Sequence, residues 1–212
     1  SGTGHAALPD PRAVDKSVPE YKNPFHPSTY AHFVARKDYR KTYDVYKDDT
    51  LLNRQPKKSR KIFVCLDEQR GQYLVDGLVA MDFPLSSGVK AYPTKTGDYA
   101  VISKKEDHTS NLYGKMYDAE GKCINYNAES TDPIPEGGRF DGSPMPYWQR
   151  LTNAGLGLHV GKVRRHPVSH GCVRLPRNVA EILYRQTSIG TPVTIRKTPL
   201  PVPEAQKVPA VQ

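Results

Sequence analysis

The sequence predicts a mostly β domain that carries one clear helix near its end. Residues 62–66, Ile-Phe-Val-Cys-Leu, form an uninterrupted apolar run, which indicates a largely buried strand. Residues 72–75 and 78–81 are two further short runs, and they are separated by Asp76-Gly77. This pair supplies the positive φ angles of a tight primed turn, so the segment is predicted to be a β-hairpin.

The helix is predicted from the spacing of three apolar residues. Val179, Ile182 and Leu183 lie at i, i+3 and i+4, which places them on one face of a helix. We predict this helix over Asn178 to Thr187, ahead of a stop at Gly190. The remaining pattern predicts three more short strands, at residues 99–103, 156–160 and 193–195.

The two ends of the chain differ in composition from its middle. The 212 residues include 19 prolines, which are frequent in the first 30 residues and in the last 14. Such stretches bury too little apolar surface to offset the entropy of ordering them. Ser28 is predicted to cap a helix that runs from Thr29 towards Val45. The predicted organisation is a flexible segment at 1–27, a partly helical arm at 28–60, the β domain at 61–197 and a disordered Pro-rich tail at 198–212.

The charge of the chain restricts its class of partner only weakly. The formal net charge is +9, and a basic surface attracts nucleic acid, anionic lipid or an anionic cell-wall polymer. A solvated basic surface without a specific partner is equally compatible with this charge. The basic residues at 57–61 have no aromatic or Arg-Gly platform beside them, so no nucleic-acid partner is predicted. No apolar run approaches the roughly 18 residues of a membrane span, so no transmembrane segment is predicted.

The chain has three cysteines, and this odd, small number argues against a disulfide scaffold. Cys65 lies in an apolar strand pattern and Cys123 follows the turn at 120–121. Both are predicted to be non-catalytic, because a buried cysteine is the common case. A disulfide between Cys65 and Cys123 is left open, since the sequence gives no distance between them.

Three histidines precede the third cysteine within a short stretch. His159, His166, His170 and Cys172 are separated by seven, four and two positions, which match none of the usual zinc spacings. No paired cysteine lies nearby, so no metal site is predicted. A thiolate nucleophile activated by an imidazole is one remaining interpretation, and a buried cysteine packed beside histidines is the other.

The catalytic interpretation gives Gly171 and Cys172 a specific role. Because Gly171 has no side chain, the backbone amides of both residues have room to approach a substrate carbonyl and form an oxyanion hole. His159 closes a predicted strand, and Cys172 lies in the loop before the predicted helix. A strand end and a following loop can converge, so contact between His159 and Cys172 is geometrically reasonable.

The segment Ser169-His170-Gly171-Cys172-Val173-Arg174 resembles the signature of the L,D-transpeptidases, the YkuD-type catalytic domain. The resemblance extends over roughly residues 60–197. It includes an opening hairpin, a Ser-x-Gly turn, an altered T-P-x-G turn and two pocket-lining segments, at residues 72–77, 84–88, 93–97, 110–114 and 145–148. The family implies a curved β-sheet sandwich wrapped by loops, with one or two short helices.

The resemblance implies a role for each residue of the signature. Cys172 is the implied nucleophile and His159 its general base. His170, the third implied catalytic residue, is expected to lie beside the thiol and help shape the oxyanion pocket. The carbonyl of Val160 is expected to orient the imidazole in place of a triad acid. Arg174 stands where several members carry Asn, and it is read as a partner of a substrate carboxylate or as a surface ion-pair residue. The remaining implied substrate-binding residues are Ser169, Tyr113, Tyr147 and Trp148.

The resemblance also implies the reaction and its setting. The donor is a peptidoglycan stem peptide that ends in a diamino acid followed by D-Ala, and no metal or organic cofactor is required. The acceptor is left open among another stem peptide, an envelope protein or lipoprotein, a free D-amino acid and water. The expected location is the cell envelope, in the periplasm, with an export signal absent from this sequence. Two alternatives are a non-catalytic wall-binding module and a basic protein that acts through its arm at 28–60.

Overall fold

The computed structural model describes residues 7–211 of the chain. Its elements in chain order are α1 (Tyr30–Val34), β1 (Tyr46–Lys47), α2 (Asp49–Leu52), β2 (Arg60–Cys65), β3 (Arg70–Val75), β4 (Leu78–Pro84), β5 (Gly97–Ala100), β6 (Ser103–Tyr117), β7 (Cys123–Glu129), β8 (Arg139–Arg150), β9 (Gly157–Val160), β10 (Val173–Leu175), α3 (Arg177–Gln186), β11 (Pro192–Arg196) and a final 3-10 turn (Glu204–Gln206). Residues 1–6 and 212, which the sequence assigns to flexible ends, lie outside the described residues.

The mostly β fold class is confirmed by two mixed sheets. The first has the strand order β1-β4-β3-β2-β11-β5, and the second has the order β10-β9-β8-β6-β7. The predicted hairpin is β3-β4, and its turn residues Asp76 and Gly77 have φ angles of 51° and 79°. The predicted late helix is α3, which begins one residue earlier and ends one residue earlier than expected.

The long strands β6, β7 and β8 of the second sheet were not predicted. The expected strand at 99–103 is instead divided between the end of β5 and the start of β6. Most residues of β6 are exposed or half-buried, so the strand has no apolar face to produce an alternating pattern. Its pairing with β8 is interrupted between Thr109 and Gly114, where the register shifts.

One hydrophobic core connects the two sheets with α3. It includes Ile62 and Ile195 of the first sheet, Leu158 and Val173 of the second sheet, and Leu183 of α3. All five side chains are buried. This packing fixes β9 and β10 relative to the rest of the domain, which matters because these two strands carry the predicted site.

A buried polar cluster attaches the N-terminal arm to the β domain. Arg70 and Asp82 form an ion pair, and neither side chain is exposed. The hydroxyls of Tyr30 and Tyr39 donate to Asp82 Oδ2 at 2.6 and 2.9 Å. Gln72 Nε2 donates to the same oxygen at 3.0 Å. We call these five residues the Asp82 cluster, and two of them belong to the arm.

The helix predicted from Thr29 towards Val45 is wrong in its length and in its cap. The structure has only the five-residue α1 there, followed by turns. Its cap is Thr29 rather than Ser28, because Thr29 Oγ1 accepts the backbone N–H of His32 at 3.2 Å.

The Asp82 cluster explains why this helix ends early. Tyr30 and Tyr39 are nine residues apart, so on a continuous helix they would point in opposite directions and lie roughly 13 Å apart along the axis. Both hydroxyls bind the same carboxylate oxygen of Asp82. The chain meets this requirement only by leaving the helix between the two tyrosines.

The described parts of the two ends are packed, which corrects the prediction of a flexible start and a disordered tail. Phe25 is 1% exposed and forms a β-bridge with Pro209. Val202 is 4% exposed and packs with Phe25 in a second core cluster. The side chain of Gln206 bonds both the N–H and the carbonyl of Val79, at 2.9 Å each. The two ends therefore cover each other and the edge of β4, which supplies the apolar surface that neither end has alone.

No helix within residues 7–211 combines the length and the apolar character that a membrane span requires.

Candidate active site

The register of β9 and β10 brings the predicted catalytic residues to one face of the second sheet. The two strands are parallel, with Val173 opposite Leu158 and Arg174 opposite His159. Leu158 and Val173 point into the core. Since side chains alternate along a strand, His159 and Arg174 point to the opposite face, and Cys172, two residues before Arg174, lies on that face as well.

Cys172 is held as a neutral thiol. Its Sγ donates to the carbonyl of Gly155 at 3.2 Å, and among the described residues it makes no hydrogen bond with His159. Burial raises the pKa of the Cys172 thiol, and a backbone hydrogen bond from Gly157 together with the nearby positive charges of Arg150 and Arg174 opposes that rise. The raised pKa favours a protonated resting nucleophile.

His159 is oriented by the carbonyl that the sequence analysis named. Its Nδ1 lies 2.7 Å from the oxygen of Val160, and a carbonyl only accepts, so Nδ1 carries the proton and Nε2 is free to accept one. Burial lowers the pKa of His159 to about 4. The imidazole is therefore neutral near pH 7 and has the protonation state that a general base needs.

The backbone around the nucleophile is held by the hydroxyl of Ser169. The N–H of Gly171 donates to Ser169 Oγ at 3.1 Å, and Ser169 Oγ donates to the carbonyl of Cys172. This corrects two expectations. The Gly171 amide is occupied and is not a free oxyanion donor. Ser169 is 3% exposed, and its hydroxyl bonds the backbone instead of facing a substrate.

One backbone donor of this segment remains free. Among the described residues, the N–H of Cys172 makes no hydrogen bond, whereas its own carbonyl and both polar groups of Gly171 are bonded. Gly171 has a φ of 123°, in the region that favours glycine, so the turn before the nucleophile depends on this residue. The predicted oxyanion hole is thus reduced to one of its two expected donors, that of Cys172.

Comparison with known proteins identifies the family of this domain. The family model of the L,D-transpeptidase catalytic domain, YkuD, matches residues 59–195. The chain belongs to the YkuD family of L,D-transpeptidase catalytic domains. A curated relative from Mycobacterium tuberculosis, "Probable L,D-transpeptidase 3", is 31% identical over 121 residues, which are 54% of this chain and 38% of that protein. The chain thus spans well under half the length of this relative.

A solved structure shows the same fold. An L,D-transpeptidase from Mycobacterium smegmatis superimposes with a TM-score of 0.51 at 22% sequence identity, over 65% of this chain and 58% of that one. This likeness establishes the architecture of the YkuD domain and extends to neither substrate nor partner.

His170 of this YkuD domain lies between two tyrosines. Its ring stacks on Tyr113, with centroids 4.4 Å apart and planes at 14°, and meets Tyr92 at 4.9 Å. Burial raises the pKa of the Tyr113 hydroxyl, and the negative charges of Glu129, Tyr92 and Cys172 in their deprotonated forms add to the rise in that order. The ring contacts of His170 are thus with the aromatic rings of Tyr113 and Tyr92.

The predicted pocket residues Trp148 and Tyr147 pack against other aromatic and histidine rings of the protein. Trp148 is 3% exposed; its ring stacks on His108 at 5.0 Å and lies 6.0 Å from His159. A side chain at Gly157 would come within 2.4 Å of the Trp148 ring, so this glycine admits the indole beside His159. Tyr147 packs edge-on against Tyr184 of α3 at 5.5 Å.

Arg174 has no acidic partner among residues 7–211, which removes the ion-pair interpretation within the described chain. Burial lowers the pKa of Arg174, and the charge that Cys172 carries once it is deprotonated opposes this change. The stem of Arg174 packs over Gly161, where a side chain would come within 2.8 Å of it. A half-buried cation beside the nucleophile suits recognition of an anionic group.

Arg165 fixes the loop between His159 and Cys172. Its guanidinium donates to four backbone carbonyls at 2.7 to 3.1 Å, those of Arg40, Thr42, Glu68 and Gln69. Arg165 has a φ of 58°, which is unfavourable for a residue with a long side chain. The four bonds hold this conformation, and two of them reach into the N-terminal arm.

The sequence assigned no role to several residues that the structure places at the candidate site or in its loops. Gly155, Tyr92 and Thr94 contact residues 170–172, yet each is remote from them in sequence. Arg165 lies in a loop without periodicity and bonds to residues far from it in sequence. The Gly155 turn carried a signal, because Asn-Ala-Gly at 153–155 is typical of a tight turn. Within residues 7–211 no three His, Cys, Asp or Glu side chains lie close enough to hold a metal ion.

Cys65 and Cys123 are both free, and no disulfide joins them. Cys65 is buried, and burial raises the pKa of its thiol to about 11. Its Sγ donates to the carbonyl of Lys197 at 3.2 Å. Such a thiol is a poor nucleophile at neutral pH.

The neutral state of the resting thiol has a measurable consequence. In a Cys65→Ala/Cys123→Ala background, we expect the rate at which iodoacetamide alkylates Cys172 to keep rising above pH 8.5, about the pKa of an ordinary thiol. The reason is that burial raises the pKa of Cys172, so the thiolate fraction grows only at higher pH. Intact-protein mass spectrometry over pH 5 to 10 measures the profile. A plateau already reached at pH 6 to 7 would instead indicate a preformed thiolate–imidazolium pair.

Proposed function

We propose that this chain is a peptidoglycan L,D-transpeptidase with Cys172 as nucleophile and His159 as general base. The observation that carries the proposal is the convergence of three groups on one face of the β9-β10 pair: a cysteine, a neutral buried histidine and a cation without an acidic partner. Membership of the L,D-transpeptidase catalytic-domain family supports it.

The first half of the proposed reaction is acylation. His159 Nε2 takes the proton of the Cys172 thiol, and the sulfur attacks the carbonyl carbon at the L-centre of the diamino acid. The carbonyl oxygen becomes an oxyanion, which the free N–H of Cys172 stabilises. The intermediate collapses, the bond to D-Ala breaks, and His159 returns the proton to the departing amine. The product is a thioester on Cys172.

The second half transfers the acyl group. An acceptor amine attacks the thioester, His159 removes its proton, and the Cys172 sulfur leaves to regenerate the thiol. With an amine of a second stem peptide the result is a cross-link, and with a lipoprotein or a free D-amino acid it is an attached group. With water the same acyl-enzyme gives L,D-carboxypeptidation.

The proposed substrate is anionic, and the charge of the protein suits it. Stem peptides carry several carboxylates, and Arg174 offers a guanidinium that binds a carboxylate in a bidentate manner. The net charge of +9 favours the approach of such a polymer. We place the protein in the cell envelope, in the periplasm, where peptidoglycan is its partner.

The test is a direct assay on a purified disaccharide-tetrapeptide. We expect release of D-Ala together with a cross-linked dimer, detected by mass analysis of the products, and we expect a carbapenem to leave one covalent adduct on Cys172. The carbapenem offers a strained acyl group to the same thiol. Tripeptide without dimer would assign water as the acceptor. No acylation by either reagent in a folded protein would leave a non-catalytic wall-binding module as the function.

A further inference from the structure

Thr94 is a buried residue that the proposed chemistry does not use, although it contacts the peptide bond before the nucleophile. It is 5% exposed and lies in the turn at 93–97. Its Oγ1 accepts the N–H of Gly88 at 2.8 Å and donates to the carbonyl of Gly171 at 2.6 Å. The hydroxyl thereby links two backbone segments 83 residues apart in sequence.

The contact with Gly171 determines where the free amide of Cys172 points. The carbonyl of Gly171 and the N–H of Cys172 belong to the same planar peptide group and point in opposite directions in a trans peptide. Fixing the carbonyl towards Thr94 therefore directs the Cys172 N–H away from Thr94. A hydrogen bond at the carbonyl also polarises the amide and strengthens its N–H as a donor.

The backbone of this turn would not keep that orientation unaided. Gly171 has a φ of 123°, and a glycine peptide has wide rotational freedom. Gly88 packs directly against it, since a side chain on Gly88 would come within 2.8 Å of the Gly171 Cα. Ser169 holds the Gly171 N–H and the Cys172 carbonyl, so Thr94 is what holds the peptide group between them.

We propose that Thr94 is a positioning residue that aims the Cys172 N–H at the oxyanion formed during acyl transfer. The proposal rests on the acyl-transfer function proposed above. Thr94 touches neither the substrate nor the thiol; it acts through the Gly171–Cys172 peptide group. Its effect is therefore confined to reactions in which a carbonyl oxygen gains negative charge.

The test compares two reagents on the same thiol. A carbapenem acylates Cys172 through a tetrahedral oxyanion, whereas iodoacetamide alkylates it by displacement of iodide and forms no oxyanion. Rate constants for both are measured by intact-protein mass spectrometry in the Cys65→Ala/Cys123→Ala background. The variants are Thr94→Val, which keeps the shape and removes the hydroxyl, Thr94→Ala as a second variant without the hydroxyl, and Thr94→Ser, which keeps it.

We expect Thr94→Val and Thr94→Ala to acylate about 10- to 100-fold more slowly, somewhat less than the loss caused by deleting an oxyanion donor outright. Their alkylation rates should stay within about twofold of the unsubstituted background, and Thr94→Ser should restore acylation. Thermal unfolding confirms that each variant is folded.

Three outcomes would overturn this role. They are unchanged acylation in Thr94→Val, an equal loss of acylation and alkylation, and a Thr94→Ser variant as slow as Thr94→Val. A background protein that is alkylated at Cys172 but never acylated would overturn the acyl-transfer function itself, and the role of Thr94 with it.

Discussion

Cys172→Ser is expected to abolish acyl-enzyme formation with both the tetrapeptide and a carbapenem. A serine hydroxyl is a far poorer nucleophile than a thiol unless a strong and well-placed base activates it. Burial lowers the pKa of His159 to about 4, so its imidazole is a weak base in the resting site. It can assist a thiol, whose proton is comparatively acidic, but it gives little help to a hydroxyl. Intact-protein mass spectrometry after incubation with each reagent measures the loss.

The substitution His159→Gln tests the proposed general base in the same assay. We expect a rate loss of roughly 10² to 10⁴, the usual range when a general acid–base group is removed. His166→Ala is the matched control, because His166 is an exposed loop residue whose Nδ1 lies 3.2 Å from the carbonyl of Pro167. It should retain most of the activity. An adduct on Cys65 or Cys123 in the unmodified protein would contradict the assignment of Cys172.

The second large effect concerns stability. Asp82→Asn is expected to lower the free energy of unfolding by about 3 to 5 kcal/mol, the usual result of leaving one member of a buried ion pair without its partner. Arg70 would keep its charge with no exposed surface, and both tyrosine hydroxyls would lose their carboxylate acceptor. Urea unfolding followed by circular dichroism measures the change.

Asp98→Asn provides the matched control for that measurement. Asp98 also pairs with an arginine, Arg196, at 3.0 Å, but its side chain is 71% exposed. Solvent screens such a pair, so its loss should leave the unfolding midpoint nearly unchanged. Equal effects of the two substitutions would mean that the Asp82 cluster does not anchor the arm.

Sequence patterns predicted those strands and helices that are buried on one face or on all sides. The run at 62–66, the hairpin around Asp76 and the helix α3 all contact the core between the sheets. The strands β6, β7 and β8 extend into solvent, so no apolar alternation marks them. The packed ends were missed for another reason: Phe25 and Val202 each look isolated in sequence and form a core only together.

Some residues of the candidate site could be predicted from the sequence and others could not. Cys172, His159 and the Val160 carbonyl follow from a local signature, and the structure has the expected His159–Val160 contact. The substrate roles expected for Ser169 and Trp148 stay predictions, and both side chains are buried in the structure. Which residue holds the Gly171 carbonyl depends on a contact across 77 positions, and no periodicity in the sequence encodes such a contact.

The bonds of Arg165 join the domain matched by the family model to the N-terminal arm. The carbonyls of Glu68 and Gln69 lie inside the range matched by the family, 59–195, while those of Arg40 and Thr42 lie outside it. A fragment cut at the family boundary would retain every catalytic side chain but leave a half-buried guanidinium with two of its four acceptors. The conformation of the loop that carries Arg165 therefore depends partly on residues of the N-terminal arm. The part of the chain that the family model matches is smaller than the part that holds this loop in place.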